Sequence, residues 1–139
     1  MIDRLKNERG ITLLEVIATS IIVAVSLIGL YTGIIYADKQ IQRNYHDRVA
    51  TLHASGEIEW QTFYKKNYKE FDPFTSRTVV IDKLARGKVL NGVMSTKLSE
   101  SQDTPFGTTV PFTILEVSVV WTEPGDKTIR RIVVREDFF

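Results

Sequence analysis

The 139-residue chain is about one domain long, and its 18 Lys+Arg against 17 Asp+Glu leave no global field to draw it to nucleic acid. It has no cysteine, which excludes disulfides, thiol catalysis and thiolate metal sites together. Its 43% hydrophobic content is unevenly spread: no charged residue falls from Val16 to Ala37, so the remainder is polar, with a modest apolar supply.

Residues 1–10 are polar and slightly basic, with Arg4, Lys6 and Arg9 against Asp3 and Glu8. Residues 11–37 follow as an almost wholly apolar run. A bilayer core about 30 Å thick needs about 20 apolar helical residues, and this segment supplies them. The basic flank favours leaving Met1 in the cytoplasm and sending the C-terminal part outward. A secretory signal cut after Ala37 is a rival reading, but its apolar region runs only about 7–15 residues.

The helical pattern persists past Ala37. Ile41, Tyr45, Val49, Leu52, Gly56, Trp60 and Phe63 recur at spacings of three and four, one stripe of a helix. Lys39, Gln42, Arg43, Asp47, Arg48, Glu57 and Glu59 fall largely off it. A single helix is expected from about Ile11 to about Tyr68, stopped by Asp72-Pro73 and roughly 85 Å long at 1.5 Å per residue. Its second half is amphipathic, and the stripe is expected to lie on a sheet.

Strand signals fill the rest. Thr78–Ile81 is a β-branched run, and Lys88–Thr96 contains Asn91-Gly92, which predicts a two-residue hairpin turn. Ser99–Thr109 reads as a loop. Val110–Thr122 and Lys127–Arg135 form the clearest hairpin, around the Glu-Pro-Gly-Asp turn at 123–126. With Pro124-Gly125 at its tip, Trp121 faces Thr128, Val119 faces Arg130, Val117 faces Ile132 and Leu115 faces Val134. One sheet face then carries Leu115, Val117, Val119, Trp121, Ile132 and Val134; the other, with Glu116, Ser118, Arg131 and Arg135, meets water. Helix stripe and sheet face together predict a two-layer α+β head over 38–139.

The junction ahead of the apolar run reads Arg9-Gly10-Ile11-Thr12-Leu13-Leu14-Glu15. Gly10 has no Cβ, so a protease can approach its backbone closely, and a cut after it leaves the amine of Ile11 at the membrane edge. An acid at Glu15 costs about 2.5–3.5 kcal/mol near the centre of a bilayer and less near its surface. Either it has a partner or it reaches the headgroups.

These residues resemble the class III signal of type IV prepilins and pseudopilins, over the leader and roughly the first half of the stem. A long helix followed by antiparallel strands agrees with the same family. The resemblance implies cleavage between Gly10 and Ile11 by a prepilin peptidase, N-methylation of Ile11, and a leader of 1–10 ahead of a transmembrane segment of 11–37. It implies that Glu15, within the assembly motif that includes Thr12, pairs with the N-terminal amine of a neighbouring subunit. The implied role is structural: a subunit, minor rather than major, of a type IV pilus-like or type II secretion pseudopilus filament. Its partners would be other pilin or pseudopilin subunits, the peptidase, an inner-membrane assembly platform and membrane lipid. Its location would be a bacterial inner membrane, crossed once, with the head in the periplasm or outside. Many filament-forming relatives carry a helix-breaking proline near the position of Thr32, which this chain lacks.

Gly29 and Gly33 match the small-xxx-small pattern of closely packed membrane helices and are expected to help pack stems. His46 and His53, seven residues apart on one helix face, have no third ligand tied to them by spacing and are expected to be solvated. Asp72, Asp82, Glu100 and Asp103 do not have the spacing of a calcium loop. Arg130-Arg131 is expected at an exposed strand edge rather than in a nucleic-acid patch. No Ser/His/Asp grouping, phosphate loop or acid pair is present, so no enzyme, metal or cofactor is expected. A single-pass membrane anchor or sensor that does not polymerise stays open as the alternative.

Overall fold

The structure, a computed structural model, describes residues 12–104, 109–125 and 127–139. It is α+β. One long helix, α1 (Leu13–Tyr68), is followed by β1 (Arg77–Lys83), a 3-10 turn at Ala85–Gly87, β2 (Val89–Asp103), β3 (Val110–Thr122) and β4 (Ile129–Phe138). The strands form one antiparallel sheet in the order β1-β2-β3-β4. The chain divides into two compact units, the first ending at Ile41 and the second Gln42–Phe139, with α1 running through both.

The helix forms as the sequence predicts, because no proline interrupts it before Pro73. Lys65 and Lys66 sit in its last turn, where cations favour the negative end of the helix dipole. Lys69 then turns left-handed at φ 65° and donates its N–H to the carbonyl of Lys65, which closes the end.

Within the second unit the helix covers one face of the sheet. The core comprises Ala50, Ala54 and Ile58 from the helix against Val79, Ile81, Leu90, Met94, Leu115, Val117, Val119 and Trp121. Full burial of each branched side chain contributes about 1.5–3 kcal/mol. The strand face is the one expected from the period-two pattern. The helix face is not. Tyr45, Leu52, Trp60 and Phe63 are 50–64% exposed, while His46, Ala50, Ala54, Glu57, Ile58 and Gln61 are buried. At 100° per residue the two sets centre on well-separated faces. Ala50 and Ala54, both fully buried, meet the sheet where the bulky stripe was expected.

Three strand expectations are corrected. Asn91-Gly92 is not a turn but lies inside β2, opposite Val80 and Val79, and the real β1–β2 connection is the segment around Ala85–Gly87. Arg86 and Gly87 supply its left-handed residues, at φ 63° and 71°. Gly92 is needed for space rather than freedom: a Cβ there would lie 3.2 Å from both Ile81 and Val119 side chains. Ser99–Asp103, read as loop, continues β2 and pairs with Val110–Ile114 of β3; residues 105–108 lie outside the described residues.

The last hairpin is shifted by two residues. Trp121 faces Arg130, Val119 faces Ile132, Val117 faces Val134 and Leu115 faces Glu136. Favoured two-residue turns need a positive φ at their first residue, which the ring of Pro124 forbids. The loop therefore widens, with Gly125 at φ 99° and Lys127 at φ 57°. The Glu123 N–H closes it on the carbonyl of Thr128 at 2.8 Å. A shift of two preserves the faces, so the inner set survives the wrong register.

Candidate functional site

Of the residues singled out for processing and methylation, Gly10 and Ile11 lie outside the described residues. Thr12 and Glu15 are placed, and both are exposed. Thr12 immediately precedes α1, and its Oγ1 accepts the backbone N–H of Glu15 at 3.2 Å. Thr12-Leu13-Leu14-Glu15 thus has the spacing of a capping box, with an acid in the first turn where the helix dipole favours it. That is a local role for both residues, and the spacing of the motif could have shown it.

Beyond this start, α1 offers an 18-residue apolar window, none of it buried, long enough to cross a membrane. Its hydroxyls are satisfied from within. Thr19 donates to the carbonyl of Glu15 at 2.6 Å, Ser20 to Val16 at 2.8 Å, Ser26 to Ile22 at 2.7 Å and Thr32 to Gly29 at 2.9 Å. Such back-bonding removes the cost of placing hydroxyls in hydrocarbon. Gly29 and Gly33 share a face, and nothing lies within 4 Å of a Cβ built on either. Both are open for close approach by another helix.

In the second unit, the exposed face of α1 carries Tyr45, Leu52, Trp60 and Phe63. Near its end the aromatics stack in sequence, Trp60 on Phe63 at 5.9 Å, Trp60 on Tyr64 at 6.4 Å and Tyr64 on Tyr68 at 4.6 Å between ring centroids. On the opposite face, polar residues fasten helix to sheet. Asp47 receives Nε and Nη2 of Arg130 at 3.0 and 2.6 Å, so Arg130 is not the free edge residue expected. Its neighbour Arg131 is exposed, as expected, and reaches Glu116 at 3.2 Å. Ser118, expected in water, is buried and shares a 3.0 Å hydrogen bond with Ser95.

The two histidines separate. His53 is half-buried, its Nε2 3.1 Å from the carbonyl of Val80. His46, expected to be solvated, is 2% exposed, with Nδ1 2.8 Å from Glu123 Oε1 and Nε2 3.1 Å from Asp82 Oδ2. The Oε2 of Glu123 accepts Trp121 Nε1–H at 3.0 Å. A β-bulge brings Asp82 there. Pairing skips Ile81, so Asp82 comes opposite the inward residue Leu90 instead of sharing the outer face with Val80. Nothing local ties residues 46, 82 and 123 together in sequence; only the inward alternation of Trp121 and Glu123 hinted at the last of them. The carboxylates occupy opposite sides of the ring, and among the described residues no group of three His, Asp or Glu could hold a metal ion.

Compared with protein-family models, with curated proteins and with solved structures, the chain gives no match in any of the three.

Proposed function

We propose that the chain is a type IV pilin-like subunit of a filament, a minor pilin or type II secretion pseudopilin, cut between Gly10 and Ile11 by a prepilin peptidase. The observation that carries the reading is a helix with an exposed apolar surface in both units. Its first part is apolar all round; in the second unit it buries small and polar residues on the sheet and leaves Tyr45, Leu52, Trp60 and Phe63 outside. A membrane accounts for the first surface but not for the second, which a neighbouring subunit's helix would cover. The junction Arg9-Gly10-Ile11-Thr12-Leu13-Leu14-Glu15 supplies the processing signal. In this reading Glu15 pairs with the methylated amine of Ile11 in the next subunit, Gly29 and Gly33 pack stems, and an inner-membrane assembly platform draws the subunit out of the lipid.

One observation favours a second reading, a single-pass membrane anchor that does not polymerise. The Thr12–Glu15 cap gives both residues a role that needs no neighbour. Intact mass and N-terminal sequence of the protein from its native membranes separate the two. A start at N-methylated Ile11 supports the filament subunit, a start at Met1 supports the anchor, and a start at Asp38 removes both. With a processed start, Glu15→Ala is expected to abolish assembly while leaving the head folded.

A further inference from the structure

The geometry around His46 points to a proton-operated clasp between α1 and the sheet: the charged ring ties helix to two strands, and the neutral ring lets one of them go. Both ring nitrogens face carboxylate oxygens, Glu123 Oε1 on one side and Asp82 Oδ2 on the other. A neutral imidazole has one N–H and one lone pair, so it donates to one carboxylate and turns its lone pair on the other. The imidazolium donates to both, so the second carboxylate gains a charge-assisted bond that the neutral ring cannot give it.

Among the described residues, the groups that face the ring come from three elements. From α1, Tyr45 meets it edge-on at 6.0 Å, and Asp47 is occupied by Arg130 of β4. From β1 comes Asp82, whose other oxygen accepts the N–H of Lys83 at 2.7 Å. From the end of β3 comes Glu123, whose other oxygen is taken by Trp121. The ring thus stands between two carboxylates, one on each side. The β-bulge at Ile81 keeps that residue in the core and also turns Asp82 toward the helix.

The sign follows from the bond count. With the ring protonated and both carboxylates ionised, both bonds form. When the ring gives up its second proton, the clasp loses one of the two bonds. Protonation of either carboxylate weakens its own bond to the ring in turn. The junction of helix and sheet is therefore tightest when the ring is charged and both acids are ionised. This holds whether or not the chain forms filaments.

The test uses the full chain in detergent micelles, with nitrogen NMR of the two imidazoles and His53 as internal reference. At about pH 6 both nitrogens of the His46 ring are expected to carry protons. Amide exchange at residues 46–50 and 80–82, corrected for its intrinsic pH dependence, is expected to quicken about tenfold by about pH 8, the loss of one charge-assisted bond. In His46→Gln, whose amide does not titrate, that pH dependence is expected to vanish. A His46 ring with one bare nitrogen at about pH 6 overturns the clasp, as does a His46→Gln protein with the parental pH dependence. Should that variant not fold, the ring spectrum of the unaltered protein decides alone.

Discussion

Arg130 meets Asp47 through two parallel hydrogen bonds, Nε to one carboxylate oxygen and Nη2 to the other, across 83 residues of chain. The pair joins α1 to β4, and the adjacent His46 joins α1 to β1 and to the end of β3. Two consecutive helix residues thus hold three strands. The fork geometry matters more than the charge, since both side chains keep about a third of their surface in water. Arg130→Lys keeps the charge and loses one of the parallel bonds. It is expected to cost about 0.5–1 kcal/mol, measured by chemical denaturation, with a double-mutant cycle against Asp47→Ala giving a coupling of the same size. An Arg130→Lys protein as stable as the parent would leave the fork without a structural role.

How much of this was legible can be seen residue by residue. The helix, the last two strands and the inner set Leu115, Val117, Val119 and Trp121 follow from periodicity, because a period of two survives even a register shift of two. The covered helix face does not follow. Periodicity ranks positions by apolarity and so finds the bulky stripe, while the residues that meet the sheet include the small Ala50 and Ala54. Asn91-Gly92 misleads for a related reason, because glycine serves both turns that need a positive φ and places where a Cβ has no room. The His46 cluster depends on a bulge at Ile81, and no local pattern announces a bulge.

Gly92 gives a direct test of that distinction. A Cβ at this position would stand 3.2 Å from Ile81 and Val119 side chains, both in the core, so the neighbours must yield slightly. Gly92→Ala is expected to cost about 1 kcal/mol and Gly92→Val about 2–3 kcal/mol by overpacking. Asn91, exposed on the other face of β2, should accept Thr within about 0.5 kcal/mol. Were the pair a hairpin turn, Asn91→Thr would instead be strongly destabilising. Thermal denaturation of the three variants distinguishes the cases.

Gln61 is fully buried at the point where the chain doubles back from the helix. Its Nε2 donates to Glu57 Oε1 and to the carbonyl of Asp72, and its Oε1 accepts the Asp72 N–H at 2.9 Å. It therefore replaces, for Asp72, the backbone partners that a strand or helix would have provided. Gln61→Leu has similar volume but strands both groups and leaves Glu57 with Arg77 alone, 3.5 Å away. The expected loss is about 2–4 kcal/mol, larger than an ordinary surface change. Hydrogen exchange of the Asp72 amide should rise before that of the sheet; unchanged protection there would mean that water fills the place of Gln61.

The exposed stripe separates stability from assembly. Leu52, Trp60 and Phe63 make little use of the core, so replacing each with Ala should change the unfolding free energy by no more than about 0.5 kcal/mol. Ala54→Leu, on the covered face, should cost about 1–3 kcal/mol because Ala54 is fully buried in the core. Sequence periodicity alone predicts the reverse, with the stripe buried and Ala54 free to grow. If another subunit covers the stripe, the paired change Leu52→Ala with Trp60→Ala should abolish filament formation in cells while the purified protein keeps its denaturation curve. A pair of substitutions that lowers stability by several kcal/mol would return the stripe to the interior of the subunit. A pair that changes neither stability nor assembly would leave the membrane-anchor reading ahead, because an anchor has no use for aromatic surface on its head.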